Sequence, residues 1–96
     1  MSIIVNIYYT GQNGNAKKFV DEMLLKGIVK NIRNEEGNEK YEYFYSVDNP
    51  ETVLLIDKFK DQNALDMHHK SEMMKEIAQL REKYKLHLKI EKFTEI

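Results

Sequence analysis

Three histidines, His68, His69 and His87, are the residues of this 96-residue chain whose chemistry suits proton transfer or metal binding, and there is no cysteine to compete with them. On a helix, ligands three or four residues apart reach one ion, whereas neighbours such as His68 and His69 project about 100° apart and do not share one. His87 lies on a separate strand, and no carboxylates at ligand spacing join the three, so no metal site is expected. With Ala64 and Leu65 on the buried face of a short helix, His68 follows at helical spacing and points inward, while His69 falls at the solvent edge. An inward histidine has two readings. It is either a core residue satisfied by a backbone carbonyl or carboxylate, or a group that moves protons near neutrality.

Asn6 interrupts an otherwise apolar strand, so its amide either bonds a neighbouring loop or is a donor aimed at a ligand oxygen. Tyr41, Tyr43 and Tyr45 read as sheet and interface filler, and Met67, Met73 and Met74 as adaptable core, yet both sets also suit a flat aromatic ligand. Arg33, in the charged run RNEEG, is expected to be a salt-bridged helix end. Ser71 is expected to spend its hydroxyl on a helix cap, because no adjacent base accompanies it.

The elements that must hold these residues follow from periodicity. Ile3 to Tyr9 is β-branched and aromatic, with Ile3, Val5, Ile7 and Tyr9 on one face and Asn6 and Tyr8 on the other. After GQNGN, Ala16, Phe19, Val20, Met23 and Leu24 mark a helix capped by Asn13 or Asn15, and the helical spacing resumes past Gly27 to Gly37. Glu39 to Val47 alternates as a strand, Asp48-Asn49-Pro50 turns, and TVLLIDKF is a third strand. Asp61 to Lys70 is a short helix. Met73, Ile77, Leu80 and Tyr84 stripe another, and LHLKIEKF closes the chain as a strand.

This order, β-α-β-β-α-β, predicts one ferredoxin-like α+β domain over residues 1–96, a four-stranded antiparallel sheet with helices on one face. Val53 and Leu55 point one way along the third strand while Leu54 and Ile56 point the other, so both sheet faces are apolar. Two helices cover only one of them, and a homodimer packed sheet against sheet is expected.

Composition narrows the function. Fifteen basic against sixteen acidic residues leave a net charge of −1, without the basic patch that nucleic acid or an anionic membrane surface requires. KYEYFYSV lacks the glycine-containing aromatic signature of an RNA-stacking sheet. The opening MSIIVNIYYTG has no basic leader region and is cut by Asn6, so it is expected to be a strand near the start of the mature chain, not a signal or a span. A cytoplasmic location is the default expectation.

Several segments together resemble the antibiotic biosynthesis monooxygenase superfamily across nearly the whole chain. They are Asn6 in the first strand, R-x-E-x-G followed by a tyrosine (Arg33, Glu35, Gly37, Tyr41), the turn DNPET, and the block D-x-F-x-D-x-x-A-L-D-x-H-x-x-S from Asp57 to Ser71. The last block is the specific one. In the family it usually opens E-x-W, where this chain has Asp57 and Phe59. The resemblance implies a dimeric α/β barrel that oxygenates phenols or quinols without flavin, metal or other cofactor, in an apolar chamber between helices and sheet. It further implies His68 as proton acceptor, Asn6 and Tyr8 as donors to the substrate anion, and Tyr41, Phe59, Met67 and Met73 as substrate-contacting walls. A haem-degrading relative is the nearest enzymatic alternative, but the axial histidine of that branch is missing, with Ala78 near the place. A non-catalytic dimer binding a small aromatic is the other alternative.

Overall fold

The computed structural model describes all residues from Met1 to Ile96. Its strands are β1 (Ile3–Thr10), β2 (Asn38–Tyr45), β3 (Thr52–Phe59) and β4 (His87–Thr94), and its helices α1 (Asn15–Leu25), α2 (Ile28–Arg33), α3 (Gln62–His69) and α4 (Met73–Lys83). The sheet runs β2-β3-β1-β4 with every neighbour antiparallel. This is the ferredoxin-like α+β arrangement predicted, except that the first helical segment, expected to be continuous, is a pair of helices.

The first break has a local cause. Gly27 adopts φ 75°, a left-handed conformation open to glycine, and ends α1 where apolar spacing alone predicted continuation. At the start of α1 the cap position is Gly14, also left-handed, with no side-chain cap. Asn15 instead donates its amide to the Tyr84 carbonyl at 3.1 Å, tying α1 to the end of α4. Glu22 makes a second tie, accepting from Lys83 Nζ at 2.8 Å and Tyr84 Oη at 2.5 Å. Ser71 is not the expected cap: its carbonyl accepts the Met74 N–H, and its hydroxyl is buried without a partner.

Register assigns the faces. Val5 lies opposite Asp57 and Asn6 opposite Ile56, while Tyr41 lies opposite Asp57 on the other side of β3. Side chains alternate along each strand, so Val5, Val53, Leu55, Asp57, Phe59 and Tyr41 share the helix-covered face, and all six are buried. Asn6, Tyr8, Leu54 and Ile56 share the face that carries no helix. A larger core includes Tyr9, Phe19, Met23, Ile32, Val53, Leu55, Ile77 and Leu80. A smaller one, Val5, Phe59, Ala64 and Leu65, lies under α3. Each fully buried large side chain contributes roughly 1.5–3 kcal/mol.

The α2–β2 turn is pinned to α3 by a close approach at Gly37. Its φ is +83°, and a Cβ there would lie 2.6 Å from the Ala64 Cβ. Gly37→Ala therefore combines backbone strain with overpacking and is expected to cost about 2–4 kcal/mol. Gly14→Ala has a similar φ but no neighbour within 4 Å, so it is expected to cost only about 1–2 kcal/mol. Urea denaturation of the two variants checks the contrast.

Candidate functional site

The site begins with a helix start. Asp61, in extended conformation, accepts the Ala64 N–H at 2.8 Å, a cap worth about 1 kcal/mol. It sets the phase of α3 so that Ala64, Leu65 and His68 face the sheet. The His68 ring then packs on Phe59, centroids 5.1 Å apart, and is 4 % exposed.

The α2–β2 turn approaches from the other side. Arg33 donates Nε–H to the Tyr41 carbonyl at 3.0 Å, in place of the expected salt bridge. Lys60 N–H donates to the Gly37 carbonyl at 2.8 Å. Between these two anchors, Glu35 places Oε1 2.6 Å from His68 Nδ1. An ionised carboxylate only accepts, so when Glu35 is ionised and the ring neutral, Nδ1 donates the proton of this bond and Nε2 holds the lone pair. Nε2 makes no hydrogen bond and is not one of the sealed, unpartnered polar atoms, which are Asn6 Oδ1, Tyr43 Oη and Ser71 Oγ.

A second carboxylate stands on that side. Asp57 Oδ2 is 3.9 Å from Nε2, beyond hydrogen-bond range, while Asp57 Oδ1 accepts from Asn38 Nδ2 at 3.3 Å. Burial, reinforced by the Glu35 charge and opposed by the Asn38 bond, pushes the Asp57 carboxyl up to about 8. Next to His68 a polar recess of about 270 Å³ opens to solvent, with Glu35, Lys60, Asn63 and Met67 among its lining residues.

The structure brings together part of the expected set. His68 and Phe59 are in contact, Met67 is at the rim and 61 % exposed, and Tyr41 lies across β2–β3 from Asp57. Asn6 and Tyr8 project from the opposite sheet face, so neither reaches a ligand beside His68 in the same protomer. Tyr8 sits instead under Lys89, whose Nζ is 5.7 Å from its ring. Met73 packs on the larger core, away from the recess. The recess is also polar and open where an apolar chamber was expected: two of its seven lining residues are hydrophobic. Glu35, Asp57, Asn38 and Lys60 were not foreseen as site residues. Asp57 was detectable, as a carboxylate in phase with Val53, Leu55 and Phe59. Glu35 and Gly37 were visible only as letters of a motif.

Residues 2–80 match the sequence profile of the family described as antibiotic biosynthesis monooxygenase. The chain belongs to this family. A Bacillus subtilis relative named "Putative monooxygenase YcnE" is 28 % identical over 69 residues, covering 72 % of this chain and 70 % of its own. A conserved protein from Methanosarcina mazei superposes with a TM-score of 0.85 at 24 % identity, over 100 % of this chain and 94 % of that one. SnoaB, a cofactor-independent oxygenase from Streptomyces nogalater, superposes with 0.81 at 12 % identity, over 99 % and 93 %. At these identities the two structures share the fold.

For this monooxygenase-family domain the site chemistry has a thermodynamic signature. Between the ordinary Asp value of 3.8 and about 8, folded Asp57 keeps a proton that the unfolded chain has released. Folding therefore loses stability as pH rises through that window, and above it the loss is complete and no longer changes with pH. Relative to Asp57→Asn, the wild type is expected to lose urea resistance progressively from acid to about pH 8. A constant difference between the two proteins would contradict the assignment.

Proposed function

We propose that this protein is a cofactor-independent monooxygenase acting on a small phenol or quinol through its anion. Triplet oxygen reacts poorly with closed-shell molecules, so the substrate must become the reductant. Loss of the hydroxyl proton does this. The anion passes one electron to O2, the two radicals combine, and loss of water leaves one of the two oxygen atoms in the product. The protein's part is to take the proton, hold the ring and stabilise charge.

His68 is the proton acceptor in this reading, and the observation that carries it is the buried Glu35–His68 bond at the base of an open recess. Glu35 orients the ring by its hold on Nδ1 and balances the imidazolium when Nε2 takes a proton. Lys60, whose Nζ also pairs with Glu36 at 3.4 Å, and Asn63 offer the new anion a cation and an amide from the recess lining, the role that the resemblance gave to Asn6. Replacement of a general base costs roughly 10²–10⁴ in rate. His68→Gln is expected to lower oxygen uptake on a panel of hydroquinones by that order, and Glu35→Gln by less. Unchanged uptake in His68→Gln removes the assignment.

The recess volume of about 270 Å³ and its polar lining also favour a second reading, a dimer that binds a small hydroxylated ring without turning it over. Ligand-induced thermal stabilisation without oxygen uptake is its signature.

The same proposal includes a homodimer through the helix-free sheet face. It is supported by the apolar side chains there: Leu54 and Ile56 are half-buried in the lone protomer, and Phe93, opposite Ile4, is 49 % exposed. A row of this kind is covered by a second copy at low cost in new structure. Asn6 Oδ1, buried there without a partner, then meets its donor across the interface. Ile56→Glu is expected to give a folded monomer by light scattering and circular dichroism, where the wild type gives a dimer.

A further inference from the structure

We propose that Asp57 is a positioning residue for His68, the second of two carboxylates between which the imidazolium is held once Nε2 has taken the substrate's proton. The inference rests on the monooxygenase reading and adds to it a residue that the recess does not expose.

The geometry is that of a ring bracketed edge to edge. Glu35 is 2.6 Å from Nδ1 and Asp57 is 3.9 Å from Nε2. Side-chain exposure is 18 % at Glu35, 4 % at His68 and 5 % at Asp57, so Glu35 borders solvent while the histidine and the aspartate are both buried. A carboxyl in the middle of a strand, in phase with Val53, Leu55 and Phe59, costs desolvation energy that a leucine there would not. It also lacks a cation of its own. Its only hydrogen bond is the long one from Asn38. The His68 edge, left open by just over a hydrogen bond's length, can acquire positive charge and is the basic group that the structure places within 4 Å of the carboxyl; His69 makes the other ring contact of His68, centroids 5.7 Å apart.

The other groups facing Asp57 do not supply that charge. Glu35, from the α2–β2 turn, is acidic. Tyr41 and Tyr43 on β2 and Tyr9 on β1 are kept neutral by burial. On β4, Lys92 lies beyond Val5 and is bonded to Gln62. Lys58, the next residue on β3, projects to the opposite face and pairs with Glu95.

In the proton-transfer step the substrate O–H bond breaks and an Nε2–H bond forms. The bonding pair stays on the substrate oxygen, and the positive charge is shared by a ring with a carboxyl at each nitrogen. Neutral Asp57 offers that ring only a dipole, whereas ionised Asp57 offers a full counter-charge. Because the carboxyl ionises near pH 8, the base strengthens as pH passes through that value.

The test uses the intact protein and two readouts, oxygen uptake on one hydroquinone and the ring-nitrogen NMR signals of His68, each followed through about pH 8. The expected result is an upward step in uptake and a coincident shift of the ring signals, both lost in Asp57→Asn. A wild-type ring signal without a step there, or a step that persists in Asp57→Asn, overturns the proposal. If Asp57→Asn does not fold, Asn38→Ala is expected to move the ring-signal step to higher pH, and Glu35→Gln to lower pH. Steps that do not move in these directions also overturn it. A ring-signal step in a protein that consumes no oxygen upholds the pairing of Asp57 with His68 and defeats the monooxygenase reading, so the two failures are separable.

Discussion

The contact between Glu35 and His68 joins two segments that local structure alone would leave apart, a turn after α2 and the last turn of α3. A buried imidazole and a largely buried carboxylate are each costly to desolvate, and each offsets the other only when the geometry is tight. That requirement reaches outward. Gly37 must lack a Cβ so that the turn can sit on Ala64, Asp61 must start α3 in the phase that turns His68 inward, and Arg33 must hold the turn's other end to β2. Residues that look like separate motif letters are parts of one clamp.

The sheet divides its work by face. Along β3 the odd positions Val53, Leu55, Asp57 and Phe59 face the helices, and the even positions Leu54 and Ile56 face away. One strand thus supplies both the floor beneath His68 and the apolar row on the uncovered side. Asn6 belongs to that second surface. Its neighbours are the apolar side chains of the uncovered face, and its amide has no route through the sheet to the recess.

Much of this architecture was legible in the chain. Alternation in TVLLIDKF located β3 to the residue, and the order of periodic segments gave the α+β topology. The inward turn of His68 followed from Ala64 and Leu65. What was missed came from two sources. The Gly27 break depends on a positive φ, which apolar spacing cannot register, because Ile28, Val29 and Ile32 continue a helical stripe whether or not the helix continues. Glu35 and Asp57 depend on contacts between distant segments, and in the sequence each is one acidic residue among sixteen. Strand period alone placed Asn6 on the face opposite Val5, where the structure has it; the donor role that the resemblance implied for it is what that face does not allow within one protomer.

Every group in the clamp, Arg33, Glu35, Gly37, Asn38, Tyr41, Asp57, Asp61, Ala64 and His68, falls within a continuous stretch that includes two adjacent hairpin strands and one helix. β4 contributes none of them, and the family match stops at residue 80, before that strand begins. The edge strand, with Ile90 and Phe93 exposed, therefore stands outside the clamp. A change at Ile90 or Phe93 alters the edge of the sheet without removing a residue that holds the His68 ring.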